Sequence, residues 1–131
     1  MNGPAATKTP AVPPALRAWF MAHFIADYVF AVPLFLAPRP FLAALGWPEI
    51  DTLSARLVAA ALFAIGGMSL VGKSEGPETF RTMLRLKIVW ASAGIIAILL
   101  SLYEGASPFG WAALAFFAAF GGAWTYYLRK I

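Results

Sequence analysis

Four long apolar stretches constrain this chain more than any other feature. They cover residues 15–37, 53–72, 80–103 and 108–128, and the last carries no charged side chain. A hydrocarbon core about 30 Å thick needs about 20 helical residues to cross it. Each stretch reaches that length once the basic residues at its ends extend toward the surface. The pattern therefore predicts an all-α integral membrane protein, folded as a four-helix bundle.

The composition agrees with this fold class. Apolar residues make up 61% of the 131 residues, whereas soluble domains contain about 45–50%. A soluble all-α domain is the alternative, but its surface helices would each have a polar face, and residues 108–128 have none. A cleaved signal peptide is a second alternative for residues 15–37, but that stretch exceeds the roughly 7–15 apolar residues of such a signal. We expect it to be retained as a span.

Short connections and an uneven distribution of basic residues predict the topology. Tight loops at residues 73–78 and 104–108 should join antiparallel neighbours in an up-down-up-down order. Lysine and arginine favour the cytoplasmic side, so we expect both termini in the cytoplasm of a multi-pass protein of the cell inner (plasma) membrane. The net charge of +4 then follows from topology, and no nucleic-acid partner is expected. The basic residues on the expected cytoplasmic side are Lys8, Arg17, Lys73, Arg81, Arg85, Lys87, Arg129 and Lys130, and those on the other side are Arg39 and Arg56.

The remaining segments are a tail and a structured loop. Residues 1–14 are rich in proline among small and polar residues, which predicts a disordered tail ahead of a single domain of residues 15–131. The apolar loop at residues 38–52 is expected to be an anchor at the membrane interface rather than a substrate lid. It should contain a short helical turn ended by Gly46 in a left-handed conformation, and Asp51 or Thr52 should cap the next helix.

His23 and Asp27 form the one polar pair deep inside a predicted span. Their spacing of four residues places them on one face of the helix. An aspartate at mid-span costs roughly 2.5–3.5 kcal/mol on insertion scales, so it should face protein or water. Three roles remain open: a structural hydrogen bond, a polar anchor for a lipid, quinone or other hydrophobic ligand, or a proton site on a transport route.

Four further residues are candidates to act with this pair. Helical rise places Asp27 about 18 Å from the cytoplasmic end and Ser92 at a similar depth, with Lys87 about 7 Å shallower and Arg56 about 6 Å further out. Helical side chains tilt toward the N-terminus of their own helix, which carries both cations away from Asp27. We therefore expect both to extend to the surface, and, if the pair is structural, Ser92 or a backbone carbonyl to be its hydrogen-bond partner. Trp90 lies near the same layer and is expected to be a packed core side chain or to line a pocket.

Several chemistries have no residues to support them. The chain has no cysteine and a single histidine, so the sequence predicts neither a disulfide nor a metal site. No nucleophile and base pair, phosphate loop or carboxylate pair is present, and no catalytic residue is assigned. An enzyme is the less favoured class, and the sequence identifies no cofactor.

One segment resembles a known family. The segment runs from Pro38 through Leu-Gly-Trp-Pro-Glu-Ile-Asp at residues 45–51 to Ser-Ala-Arg-Leu-Val-Ala-Ala-Ala-Leu at residues 54–62. It resembles small four-span bacterial membrane proteins of the DoxX-like kind, with Ala59 where glycine is common. The resemblance implies the four-span fold and a role as a small subunit or partner of membrane redox systems. It transfers no catalytic residue.

Three functional hypotheses follow, of which the sequence favours the first and leaves the other two as alternatives. The first is a non-enzymatic accessory or ligand-binding membrane protein, which predicts a bound lipid, a bound quinone or a stable partner in a larger membrane complex. The second is a small homo-oligomeric proton-coupled transporter, which predicts that Asp27→Asn abolishes flux but not folding. The third is a cofactor-carrying redox subunit, which predicts a visible absorbance band that His23→Ala removes.

Overall fold

The computed structural model describes residues 3–4 and 11–131, and 83% of these residues are helical, with no strand among them. Most of the predicted tail, including Lys8, lies outside the described residues. Of its last residues, Val12 is buried against the helices and Pro14 begins the first helix. The five α-helices are α1 (Pro14–Leu36), α2 (Pro38–Ala44), α3 (Thr52–Val71), α4 (Pro77–Tyr103) and α5 (Phe109–Lys130), and a 3-10 turn, Gly72–Ser74, follows α3.

Proline begins three of these helices. Pro14, Pro38 and Pro77 occupy the first helical position of α1, α2 and α4. Proline suits this position because its missing N–H would have no helical partner there and its φ is already close to the helical value. The sequence thus fixes the starts of these helices locally.

The loop between α1 and α3 has the caps that the sequence predicts. The Asp51 carboxylate accepts hydrogen bonds from the backbone N–H groups of Leu53 and Ser54, each at 3.2 Å, and caps α3. Gly46 follows α2 with φ of +85°, a left-handed conformation that glycine adopts without strain. The Trp47 N–H donates to the Leu42 carbonyl at 3.0 Å, which completes a Schellman motif.

Three helices are long and apolar enough to cross a membrane: Pro14–Leu36, Thr52–Ser74 and Pro77–Tyr103. All three leave large apolar side chains on the outer surface, among them Leu36, Val71 and Val89. Exposing so much apolar surface to water is unfavourable in free energy, whereas exposing it to lipid is not. The helix α5 is not among the three, because its glycines and its tryptophan and tyrosine side chains lower its mean hydropathy.

The four long helices pack as two close pairs, α1 with α3 and α4 with α5. Glycine permits the close approach in each pair. A Cβ built at Gly66 would lie 2.7 Å from the Cβ of Asp27. A Cβ built at Gly94 would collide with the ring of Phe117. We call these contacts the within-pair seams, and the space between the two pairs the between-pair seam.

Two groups of buried apolar side chains fill the interior. One lies at the end of the bundle where α1 begins and α5 ends, and we call it the terminal cluster. The other lies at the end next to α2, and we call it the loop cluster. The terminal cluster consists of Val12, Leu16, Phe20, Phe80, Met83, Leu84 and Trp124. The loop cluster consists of Ala31, Leu34, Ala55, Ala59 and Leu62.

Candidate functional site

Four polar side chains are buried together at the centre of the bundle. His23, Asp27, Ser69 and Lys87 are each no more than 3% exposed. They come from three helices: two from α1, one from α3 and one from α4. We call them the polar cluster. Burying an ionisable group in an apolar helix costs free energy unless the group is paired, so the partners of each of these side chains decide whether the cluster is stable.

The Lys87 amine joins α4 to the other two helices. Its Nζ lies 2.9 Å from Nδ1 of His23 and donates to Oγ of Ser69 at 2.7 Å. The Ser69 hydroxyl in turn donates to the Ile65 carbonyl at 3.2 Å, within its own helix. A continuous chain of hydrogen bonds therefore runs from His23 through Lys87 to the backbone of α3.

His23 lies between two groups that compete for the same nitrogen. Its Nδ1 is 2.9 Å from Nζ of Lys87 and 3.3 Å from Oδ2 of Asp27. A ring nitrogen either accepts a hydrogen bond or donates one. If Nδ1 accepts from the lysine ammonium, it has no proton to donate to the carboxylate. The buried Oδ2 of Asp27 accordingly has no hydrogen-bond partner among the described residues.

Aromatic rings surround the Lys87 amine and the His23 ring. Nζ of Lys87 lies 5.1 Å from the ring centre of Phe20 and 5.2 Å from that of Trp124. Both distances suit a cation–π interaction, which stabilises an ammonium group away from water. The imidazole of His23 is 4.8 Å from the ring of Phe120 and 5.3 Å from that of Trp124. The Lys87 ammonium is therefore stabilised by contacts with two aromatic rings as well as by its hydrogen bonds.

The sequence explains how α1 and α3 present their polar groups. His23 and Asp27 are one helical turn apart and point the same way from α1. Opposite Asp27, α3 has Gly66, and the missing side chain leaves the space that the carboxylate occupies. The terminal cluster and the loop cluster close the two ends of this site, so the polar cluster is enclosed by protein in the described structure.

The position of Lys87 corrects an expectation from the sequence. Lys87 does not extend to the surface, because it is 2% exposed. The predicted tilt of its side chain toward the start of α4 does carry Nζ away from Asp27, but that direction leads to His23, one turn closer to the terminal cluster. The depth of a residue along its own helix cannot show which neighbour its side chain reaches.

The other candidates lie outside the polar cluster. Arg56 is at the surface, where its Nε donates to the Phe35 carbonyl at 3.0 Å. Trp90 is half-buried beside the loop cluster, with its ring centre 6.1 Å from that of Phe117. Ser92 is exposed on the outer side of α4, so it does not partner the pair as the sequence analysis expected.

Ser69 is a member of the polar cluster that the sequence did not predict. It is the polar residue that interrupts the apolar end of α3, and that interruption was a usable signal. Its partner was not visible, because Lys87 is 18 residues away on a helix whose rotation the sequence does not give.

The cluster has the parts of a proton-binding site. It contains a carboxylate and an amine that each lie within 3.3 Å of the same ring nitrogen of an imidazole, and this nitrogen links them. A proton added at Nδ1 would allow a hydrogen bond to Asp27 and end the one accepted from Lys87. The charged group that faces His23 and Asp27 from α4 is Lys87, while α3 supplies Gly66 and Ser69 and α5 supplies aromatic rings.

The chain matches no protein-family model, and no curated protein or solved structure is significantly similar to it.

Proposed function

We propose that this protein crosses the inner membrane four times, with both termini in the cytoplasm. The support is that α5 has 22 residues, enough for a span, and is antiparallel to α4 across a short turn. The resemblance to DoxX-like proteins agrees with this topology. The distribution of charge also agrees, because Arg17, Arg81, Arg129 and Lys130 lie near the terminal cluster, whereas Arg39 and Arg56 lie near α2.

We further propose that the polar cluster is the proton site of a small membrane transporter. The observation that carries this proposal is the competition at His23, which leaves a buried oxygen of Asp27 without a hydrogen-bond donor in the described part of the chain. A purely structural network is expected to satisfy each of its buried groups. A site that must gain and lose a proton needs a group whose partner changes, and Nδ1 of His23 is such a group.

The geometry gives less support to a ligand anchored on His23 and Asp27. Both side chains are closed off by protein, and neither lines the groove between α4 and α5. A hydrophobic ligand at the polar cluster would require the helix pairs to separate. An accessory, lipid-binding role would therefore use a different surface, the groove between α4 and α5.

Topology is tested by labelling single cysteines. Because the natural chain has none, each introduced cysteine reports one position. In sealed inside-out vesicles, Lys73→Cys and Lys130→Cys should react with a membrane-impermeant maleimide, and Arg39→Cys should react only after the membrane is opened. If Lys130→Cys, like Arg39→Cys, reacts only after the membrane is opened, whereas Lys73→Cys reacts in sealed vesicles, α5 does not cross the membrane.

Proton binding is tested by infrared difference spectroscopy of the protein in lipid. On a change of pH we expect the carboxylate stretching bands of Asp27 to shift as its oxygen gains a hydrogen bond from Nδ1 of His23, a change that is lost in Asp27→Asn. The matched control is Asp51→Asn, since Asp51 is the other aspartate of the chain and lies exposed at the start of α3. A spectrum identical in wild type and Asp27→Asn would overturn the proposal. In proteoliposomes, Asp27→Asn should also abolish proton-driven flux that Asp51→Asn retains.

A further inference from the structure

A groove runs along the outer side of the α4 and α5 pair, away from the polar cluster. Its volume is about 730 Å³. Ile88 and Ile95 form part of one wall, and Ala118 and Gly122 form part of the other. At the end of α5 the groove reaches Arg129 and Lys130. Its lining is therefore mainly apolar, with the hydroxyls of Ser92 and Thr125 among it, and basic at one end.

Small residues on α5 make this groove. A Cβ built at Gly122 would meet no atom within 4 Å, so the glycine faces open space rather than a neighbouring helix. This differs from Gly66 and Gly94, whose missing side chains are filled by their neighbours. From Ala118 to Lys130 the groove extends about 18 Å at the helical rise of about 1.5 Å per residue. That length suits the upper part of an extended acyl chain.

The basic end lacks an internal counter-charge. Arg129 and Lys130 are exposed, and within the described part of the chain no carboxylate lies within 4 Å of either side chain. No acidic residue lines the groove. The proposed topology places this end at the cytoplasmic leaflet, whose anionic headgroups attract basic residues close to the membrane surface.

We propose that this groove binds one anionic phospholipid of the cytoplasmic leaflet. An acyl chain lies along the small residues of α5, and the phosphate is held by Arg129 and Lys130. This inference rests on the proposed function to the extent that α5 must cross the membrane, but it does not depend on proton binding at the polar cluster.

The experiment is native mass spectrometry of the protein released from nanodiscs of phosphatidylcholine that contain a small fraction of phosphatidylglycerol. We expect wild type to retain phosphatidylglycerol in preference to phosphatidylcholine. The double variant Arg129→Gln/Lys130→Gln should lower that preference by about 30-fold, since each basic residue near an anionic surface contributes roughly fivefold. The matched control is Lys73→Gln/Arg85→Gln, which removes the same charge at exposed positions that do not line the groove.

A second pair of variants tests the apolar part of the site. Ala118→Leu fills the groove, whereas Ala60→Leu makes the same change at an exposed position on α3. We expect reduced lipid retention only for Ala118→Leu, with unchanged circular dichroism for both. Equal loss in the two charge variants, or equal retention in the two leucine variants, would overturn the proposal. A dimer mass that Ala118→Leu abolishes would assign the groove to a second copy instead.

The two proposals fail in different ways. If cysteine labelling shows that α5 does not cross the membrane, both the topology and the lipid site are wrong. If α5 crosses and phosphatidylglycerol shows no preference, only the lipid site is wrong, and the infrared test of Asp27 is unaffected.

Discussion

The within-pair seams and the between-pair seam are built from different side chains. Between α1 and α3, and between α4 and α5, a glycine on one helix makes room for a larger side chain of the other, as Gly66 does for Asp27 and Gly94 for Phe117. Between the two pairs, long side chains fill a wider space. There Phe20 packs on Phe80 with ring centres 4.6 Å apart, and Lys87 reaches across to His23.

This difference indicates where the molecule can change shape. A side chain that packs directly against a glycine of the partner helix has one arrangement, because a rotation of either helix produces a collision. Long side chains have several rotamers, and a hydrogen bond with two competing partners adds a second stable arrangement. The polar cluster spans the between-pair seam, so its protonation would act on the packing of one helix pair against the other. The predictions below test this contrast.

The largest expected effect is in the terminal cluster, where Trp124 of α5 packs across the between-pair seam. Trp124→Ala should destabilise the protein by about 3 kcal/mol, the lower end of the range for buried tryptophan, because lipid leaves mainly the packing contribution to be lost. Trp124 is 1% exposed and contacts Phe20 and His23. Trp111, on the same helix, is 62% exposed and gives the control Trp111→Ala. Unfolding in detergent is monitored by near-ultraviolet circular dichroism, and the midpoint of Trp124→Ala should lie below that of Trp111→Ala. Equal midpoints for the two variants would mean that the seam contributes no stability.

Glycine to alanine should have opposite effects on stability inside and outside a within-pair seam. Gly66→Ala should cost about 1–3 kcal/mol, because the new methyl group overlaps Asp27. Gly122→Ala should be neutral or stabilise by about 0.5–1 kcal/mol, because alanine favours the helix and the space is open. Both are measured by unfolding in the same detergent. Stabilisation by Gly66→Ala would contradict the close packing of α1 on α3.

The contact between Lys87 and His23 predicts non-additive effects on stability. A double-mutant cycle of Lys87→Met and His23→Leu should give a coupling free energy of about 0.5–3 kcal/mol, as groups in one network do. The control cycle combines Lys87→Met with Leu34→Ala, a residue of the loop cluster. That cycle should be additive within about 0.3–0.5 kcal/mol. Additivity in both cycles would mean that the hydrogen bond across the seam contributes nothing.

The smallest expected effect lies outside both seams, at the cap of α3. The Ser54 hydroxyl, with the N–H groups of Ser54 and Leu53, holds the pKa of Asp51 below its ordinary value of 3.8. A carboxylate with a lowered pKa contributes stability that is present above that ordinary value and is lost as the pH falls through the folded-state pKa. The unfolding midpoint of wild type should therefore fall slightly more in acid than that of Asp51→Asn. Parallel curves for the two proteins would contradict this cap.

Local features of the structure followed from the sequence, and contacts between helices did not. The helices follow from apolar length, and the caps at Gly46 and Asp51 follow from residue type, because both depend on neighbours in the chain. The pairing of His23 with Asp27 followed from a spacing of four. The burial of Lys87 and the role of Ser69 did not, because both depend on how α4 is rotated and packed against α1 and α3.

The most direct test of the central claim uses the single histidine of the chain. With ¹⁵N-labelled histidine and no histidine tag, solid-state NMR of the protein in lipid bilayers reports the protonation of Nδ1 in His23 alone. We predict an unprotonated, hydrogen-bond-accepting Nδ1 at high pH that becomes protonated at low pH, with the change altered in both Lys87→Met and Asp27→Asn. One unchanged Nδ1 signal across the pH range in which the protein stays folded would contradict the account and make the polar cluster a fixed structural contact.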